Sequence, residues 1–352
     1  MIIEQFLPAF HYGDATSNSA VTLHEFFISK GIESRLITLT SDKRVLDKVI
    51  LYKDYKEDHD SVKILHFAIP SPLTDFFLKA KGKKILIYHN ITPSKFFVDY
   101  SEFLVKFTKD GREHLKRLSN VFDLSVGVSE FNARELREIS FKNVVVSPLP
   151  VDLKNYDTPY NKGYYNLIKD DRKNILCVGR VAPNKALEDA VKALFFYKKY
   201  ISPSVRLIIA GNTESVPKYF SAVRDLASRF YLTSEDILFT GHIEFDEFIS
   251  VYKLADLFLS VSEHEGFCLP ILESFYLGTP VVAYDAAAIS ETLGEGGILF
   301  KDKSPDKLAA LMDYVINSEK VSKKLIKSGY EMIDKYKSKS SPETLFKMIN
   351  KL

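Results

Sequence analysis

The 352-residue sequence predicts an α/β protein built from two Rossmann-like, doubly wound domains in tandem. Strand-sized apolar runs alternate with helical patterns from end to end, and the second half of the chain repeats the grammar of the first. The runs are also continuous rather than alternating in polarity, as strands of a parallel sheet covered on both faces must be.

In the first half the strand candidates are IIEQFL (2–7), SRLITLT (34–40), VKILHFA (62–68), KKILIYH (83–89), LSVGVS (124–129) and NVVVSPL (143–149). Between the first two, SAVTLHEFFISKG has a helical pattern and closes on Gly31, which suits a helix C-cap. In the second half they are NILCVG (174–179), VRLIIAG (205–211), ILFTG (237–241), LFLSVS (257–262), PVVAYD (280–285) and GILF (297–300). The polar, Tyr-rich stretch 155–174, broken by Pro159 and Gly163, reads as the linker. The tail opens with Ser341-Pro342 and repeats apolar residues at helical spacing, a capped final helix. The expected division is 1–160, 161–337, and 338–352 as a C-terminal helix packing back towards the N-terminal domain. Doubly wound domains bind ligands at the carboxyl ends of their strands, so the cleft between the two is the expected active site.

Composition narrows the function classes. Hydrophobic residues at 46% and charged residues at 27% are ordinary for a globular chain. A formal net charge of +2 gives no reason to expect nucleic acid as a partner. Cys177 and Cys268 are too few for a disulfide framework and read as reduced thiols. The N-terminus lacks a basic flank and a small-residue cleavage site, so no signal peptide is expected. No apolar run approaches the ~20 residues of a membrane helix. A soluble, cytoplasmic protein is the expectation. Neither half has G-x-G-x-x-G after its first strand, which disfavours a dinucleotide dehydrogenase, and no G-x-x-x-x-G-K-[ST] loop is present.

Two constellations point to anion chemistry. In ILCVGRVAPNKALEDAV (175–191), Gly179, Arg180 and Lys185 follow a strand and precede a helix. Arginine grips phosphate oxygens bidentately and lysine adds a mobile point charge, so the pair could stabilise a leaving diphosphate without a metal. In VSEHEGFCLPILESF (261–275), a loop with Glu265 and Gly266 leads to Pro270 in the first turn of a helix. The amides of Phe267, Cys268 and Leu269 would then form an anion site. Glu265 and Glu273 could accept sugar hydroxyls. The alternatives are a solvated basic loop for the cations and simple helix-terminus electrostatics for the glutamates. Their occurrence in one domain favours a shared site.

Gly179-Arg180…Lys185, Glu265-x₇-Glu273 and Gly278-x-Pro280-Val281-Val282 together resemble the family 4 retaining glycosyltransferases of GT-B fold. The resemblance implies an enzyme that moves a sugar from a nucleotide-diphosphate sugar to an acceptor hydroxyl, with retention and with no metal or other cofactor. Arg180 and Lys185 would hold the diphosphate, Glu273 the ribose diol, and Glu265 would bind hydroxyls of the transferred sugar or stabilise its charge. His242 and Ile243, after Gly241, match the position that packs the nucleobase, and Ala-x-Ser-Glu ends at Glu291 where such enzymes have a further loop. Ala186 and Cys268 depart from frequent glycines, and Asn212 stands where a second small residue is common.

In the N-terminal half, Gly13 would let backbone amides approach the donor phosphates, a simple turn glycine being the alternative. His89 and Asn90 end a strand, and the resemblance implies a sugar contact for His89. His89-Asn90-Ile91-Thr92-Pro93, with Gly111-Arg112 and Ser129-Glu130-Phe131-Asn132, resembles a subgroup that extends polysaccharide or lipid-linked glycans. Arg112, Ser129 and Asn132 are carried over as cleft residues. The aromatic and basic stretch 94–118 fits either a core-facing helix or one lying on a membrane carrying a lipid-linked acceptor. Asp58-His59-Asp60 precedes a strand and reads as a surface loop rather than a metal site. The competing functions are a nucleotide-sugar epimerase of the same fold, a glycan phosphorylase with a pyridoxal lysine, and a two-lobed binding protein without turnover.

Overall fold

The computed structural model describes all residues, Met1–Leu352. Its contacts divide into two compact units: Met1–Lys95, Glu102–Asp152 and Tyr336–Leu352 form unit 1, and Phe96–Ser101 with Leu153–Lys335 form unit 2.

Unit 1 holds strands β1 (Ile2–Phe10), β2 (Glu33–Ser41), β3 (Ile50–Leu51), β4 (Val62–Phe67), β5 (Lys84–Tyr88), β6 (Leu124–Gly127) and β7 (Val144–Val146). They make one parallel sheet in the order β3-β2-β1-β4-β5-β6-β7. Every residue of β4 is buried, which is why its sequence does not alternate. One face of the sheet packs a core that includes Phe6, Leu65, Phe67, Phe77 and Leu115. The helix Ala15–Ser29 ends in paired bonds from Gly31 N to the Ile28 carbonyl (2.9 Å) and Ile32 N to the Phe27 carbonyl (3.0 Å). Gly31 sits at φ +75°, a conformation a side chain would resist.

The C-terminal helix Pro342–Ile349 belongs to unit 1. Ser341 caps it, Phe346 packs on Phe26 and Phe27, and Glu343 pairs with Lys30 at 2.9 Å. The Tyr336 hydroxyl donates to the Leu149 carbonyl.

Unit 2 holds β8 (Lys173–Val178), β9 (Val205–Ala210), β10 (Ile237–Gly241), β11 (Leu257–Ser260), β12 (Val281–Tyr284) and β13 (Ile298–Phe300). This sheet is also all parallel, in the order β10-β9-β8-β11-β12-β13.

Two features differ from the sequence reading. The two-residue β3 is too short to show a pattern. The stretch 155–174 is structured rather than a linker: it begins within the turn Leu153–Asp157, continues as the helix Lys162–Ile168 capped by Asn161, and ends inside β8. Of its tyrosines, Tyr156 is a packing group, only 8% exposed. The loop with Asp58-His59-Asp60 turns just before β4, and its Asp58 carbonyl accepts from the buried Lys63 ammonium.

Candidate functional site

In unit 2 the strand order reverses between β8 and β11, the place where sheets of this kind take ligands. The chain segments leaving these two strands are laced together by Asn184. Its carbonyl accepts from Glu263 N (2.8 Å), and its side-chain amide donates to the His264 carbonyl (3.0 Å). That lacing sets Lys185 Nζ 2.5 Å from Glu265 Oε1, with the two side chains only 16% and 14% exposed. Desolvation opposes the Lys185 ammonium, but the Glu265 carboxylate outweighs it and raises the pKa. Lys185 is therefore a permanent cation.

Gly179, between β8 and this loop, has φ +129°, and a Cβ there would lie 2.9 Å from both Cε and Nζ of Lys185. Glycine leaves the ammonium its space. Arg180 follows it, exposed and with no ion pair. A small cavity beside them is lined by Gly179, Lys185, Ser260, Ser262, Cys177 and Cys268. Burial pushes the Cys177 thiol up to about 12 and raises Cys268 as well, so both stay neutral.

The helix Leu269–Leu277 starts just beyond Glu265 with Pro270 in its first turn and no side-chain cap. Its N-cap, Cys268, is left-handed at φ +71°, and Ala186 is left-handed at φ +49°. These are the two positions where the sequence departs from frequent glycines, and the geometry supplies the reason. Glycine takes that backbone freely, whereas another residue pays about 1–2 kcal/mol.

Glu273, 6% exposed, accepts from Tyr156 Oη at 2.7 Å on Oε1 and from Tyr252 Oη at 2.8 Å on Oε2. Desolvation raises its pKa against the pull of both hydroxyls and Lys185. Each carboxylate oxygen keeps one further lone pair, so a diol reaching Glu273 would share it with the tyrosines.

Arg180, Lys185, Glu265 and the Gly266–Leu269 segment thus gather at the ends of β8 and β11. Phe267 is buried and its carbonyl accepts from Thr292. Asn212 follows β9, exposed, its Oδ1 accepting from Glu214 N at 2.7 Å. His242 is exposed and Ile243 half-buried after β10.

In unit 1, Gly13 follows β1 at φ +78°, exposed, with nothing within 4 Å of a would-be Cβ. Asn90 and Arg112 meet on Glu135, which the sequence reading did not single out, with Asn132 bonded to Asn90 and Ser129 at the start of the same helix. Asn90 Nδ2 donates to Asn132 Oδ1 and Glu135 Oε2, both at 2.8 Å, while Arg112 pairs with Glu135 at 3.3 Å and donates to the Ile91 carbonyl. Ser129 caps the helix Glu130–Glu138 by accepting from Asn132 N. The helix Glu102–Arg117 buries Thr108, Gly111 and Leu115 and leaves Phe103 69% exposed, stacked on Phe107. The aromatic stripe is therefore only partly core.

His89, after β5, meets His66 of β4, ring nitrogen to ring nitrogen, at 3.0 Å. Burial lowers the pKa of His66 well below the ordinary value and that of His89 to about 4. A depressed histidine stabilises the fold above its unfolded pKa of 6.5, and that stability is lost as pH falls towards the folded value. From His89 alone the loss should reach about 2 kcal/mol at pH ~5. Urea midpoints at neutral and acid pH test this, since the drop should shrink by that amount in His89→Phe.

Two doubly wound parallel domains in tandem make this a GT-B fold. Residues 165–332, which are 168 of the 352, match the model of the family described as "Glycosyl transferases group 1". The Arg180–Lys185 and Glu265–Glu273 motifs lie inside that match, whereas His89–Pro93, on which the subgroup resemblance rests, lies outside it. The chain is similar to a serotype-specific mannosyltransferase of Escherichia coli, 24% identical over 41% of this chain but spanning only 18% of that protein. A protein of Methanocaldococcus jannaschii described as an uncharacterized glycosyltransferase is 26% identical over 72% of this chain and 65% of its own length. The crystal structure of Anabaena HepE in complex with UDP-glucose superposes with a TM-score of 0.75, covering 100% of this chain and 98% of that one at 14% identity.

Proposed function

We propose that the chain is a glycosyltransferase that moves a sugar from a nucleotide-diphosphate sugar to an acceptor hydroxyl, with retention and without a metal. The observation behind this reading is the Lys185–Glu265 pair at the strand-order reversal of unit 2, beside the exposed Arg180 and an uncapped helix start. A diphosphate arriving there is met by two cations and helix amides, so Glu265 is released to accept sugar hydroxyls. As the bond to the diphosphate breaks, Lys185 and Arg180 stabilise the charge that develops on the leaving group. The mannosyltransferase relative and the family match in unit 2 support the same chemistry.

The deciding experiment is a thermal-shift panel of nucleoside diphosphates and nucleotide sugars. The matching donor at ~100-fold over its Kd should stabilise the protein by about 2.7 kcal/mol. Incubation of that donor with and without glycan acceptors separates transfer from epimerisation, and transfer should persist unchanged in excess EDTA. Binding without turnover on any acceptor would leave a ligand-binding protein instead.

The acceptor class in this proposal is a growing polysaccharide or lipid-linked glycan, reached at the cytoplasmic face of a membrane. No helix is long and apolar enough to cross a membrane. Phe103 and Phe107, beside Lys106 and Lys109 on one helix, offer a peripheral contact instead. Anionic vesicles should therefore co-sediment the protein, and Phe103→Ser should weaken that association.

A further inference from the structure

Histidine 89 is held from behind by a single chain of hydrogen bonds within unit 1. The Gln5 side-chain amide donates to the Ala20 carbonyl at 3.1 Å, and Gln5 Oε1 lies 2.9 Å from His66 Nε2. His66 Nδ1 lies 3.0 Å from His89 Nε2, and the two rings stack with centroids 5.2 Å apart. Gln5 and His66 are fully buried, at 0% exposure. The last atom of the chain, His89 Nδ1, is shielded from solvent and has no partner.

The Ala20 carbonyl decides the polarity of every link. It can only accept, so the Gln5 amide group faces it and Gln5 Oε1 faces His66; the flipped amide would set two oxygens against each other. Oε1 can only accept, so His66 carries its proton on Nε2. A second proton on this ring would put an uncompensated charge on a fully buried group, and burial holds the ring neutral. His66 Nδ1 is therefore a lone pair, and His89 Nε2 must donate to it. The neutral His89 ring has no proton left for Nδ1. The nearby carboxylate, Asp14, accepts from Ser17 N and Oγ and offers Nδ1 no donor.

We infer that Gln5 and His66 are positioning residues that lock His89 in the Nε2-protonated tautomer, so that its buried Nδ1 meets a ligand only as a hydrogen-bond acceptor. The group it takes is a hydroxyl or another N–H or O–H donor. A phosphate oxygen is refused, because two lone pairs would face each other. With the proposed function as its premise, the group that His89 takes is a sugar hydroxyl. A donor analogue lacking that hydroxyl would strand a buried acceptor and bind more weakly.

The test is histidine ¹⁵N NMR of the ligand-free protein at neutral pH. Both rings should be neutral with the proton on Nε2, and a scalar coupling should cross the hydrogen bond from His89 Nε2 to His66 Nδ1. A proton on His89 Nδ1, or no coupling, overturns the inference, and neither result depends on turnover. Gln5→Leu removes the acceptor that orients His66. Both tautomers of His89 should then appear, and KM for the nucleotide sugar should rise about tenfold, with inhibition by the free nucleoside diphosphate unchanged. A single tautomer persisting in Gln5→Leu, or an equal loss of diphosphate inhibition, overturns the positioning role. A locked tautomer in a protein that transfers no sugar supports the relay and counts against the transferase reading alone.

Discussion

Replacing Lys185 with alanine should lower turnover by about 10²–10³, the cost of removing one preorganised charge from a site where negative charge develops. The expectation has two parts. The ammonium at Glu265 Oε1 is lost as a stabiliser of the leaving diphosphate, and the half-buried Glu265 carboxylate is left without its cation. That uncompensated charge repels the diphosphate, so thermal stabilisation by the nucleoside diphosphate should fall together with kcat. Lys185→Arg should recover only part of the rate. The guanidinium keeps the charge but is a planar fork, and the space beside Gly179 fits the compact ammonium. Steady-state transfer assays and thermal shifts read both effects. Turnover within a few-fold of wild type in Lys185→Ala would remove the basis of the functional proposal.

A second large effect comes from a residue with no side chain. Gly211, after β9, has φ +148°, and a Cβ on it would lie 2.2 Å from the Gly179 carbonyl oxygen and 2.6 Å from its carbon. Both are backbone atoms that cannot swing aside. Gly211→Ala should therefore cost about 2–6 kcal/mol, backbone strain and steric overlap adding together. The displaced Gly179 would carry Lys185 with it, so nucleotide affinity should fall as well. Gly13→Ala is the control: φ is +78°, but nothing lies near the would-be Cβ, and the loss should be about 1–2 kcal/mol. Urea unfolding of both variants checks the contrast. Equal, small losses would mean that Gly211 does not press on the Gly179 backbone.

Much of the architecture is legible before any coordinates. Twelve continuous apolar runs fall on twelve of the strands, because a strand buried on both faces has to be apolar at nearly every position. β3 escaped because two residues carry no periodicity. The helix Lys162–Ile168 escaped because Lys, Gly, Tyr and Asn look like a loop until their partners are known. In the site, Lys185 and Glu265 are visible as charged groups at strand ends, while the Asn184 bridge between their loops joins positions 80 residues apart. Glu273 was legible as a carboxylate on a helix, but not as the acceptor of hydroxyls from Tyr156 and Tyr252, separated from it by 117 and 21 residues.

What the sequence alone determined is the kind of sheet, the order of its strands along the chain and the charged residues delivered to strand ends, because burial pattern and turn chemistry are local. Only the tertiary structure decided which of those groups meet, which glycines are pressed against backbone, and that Gln5, His66 and His89 line up in one chain. A hydrogen bond or steric contact depends on distances of a few ångströms between residues that the chain separates by tens or hundreds of positions.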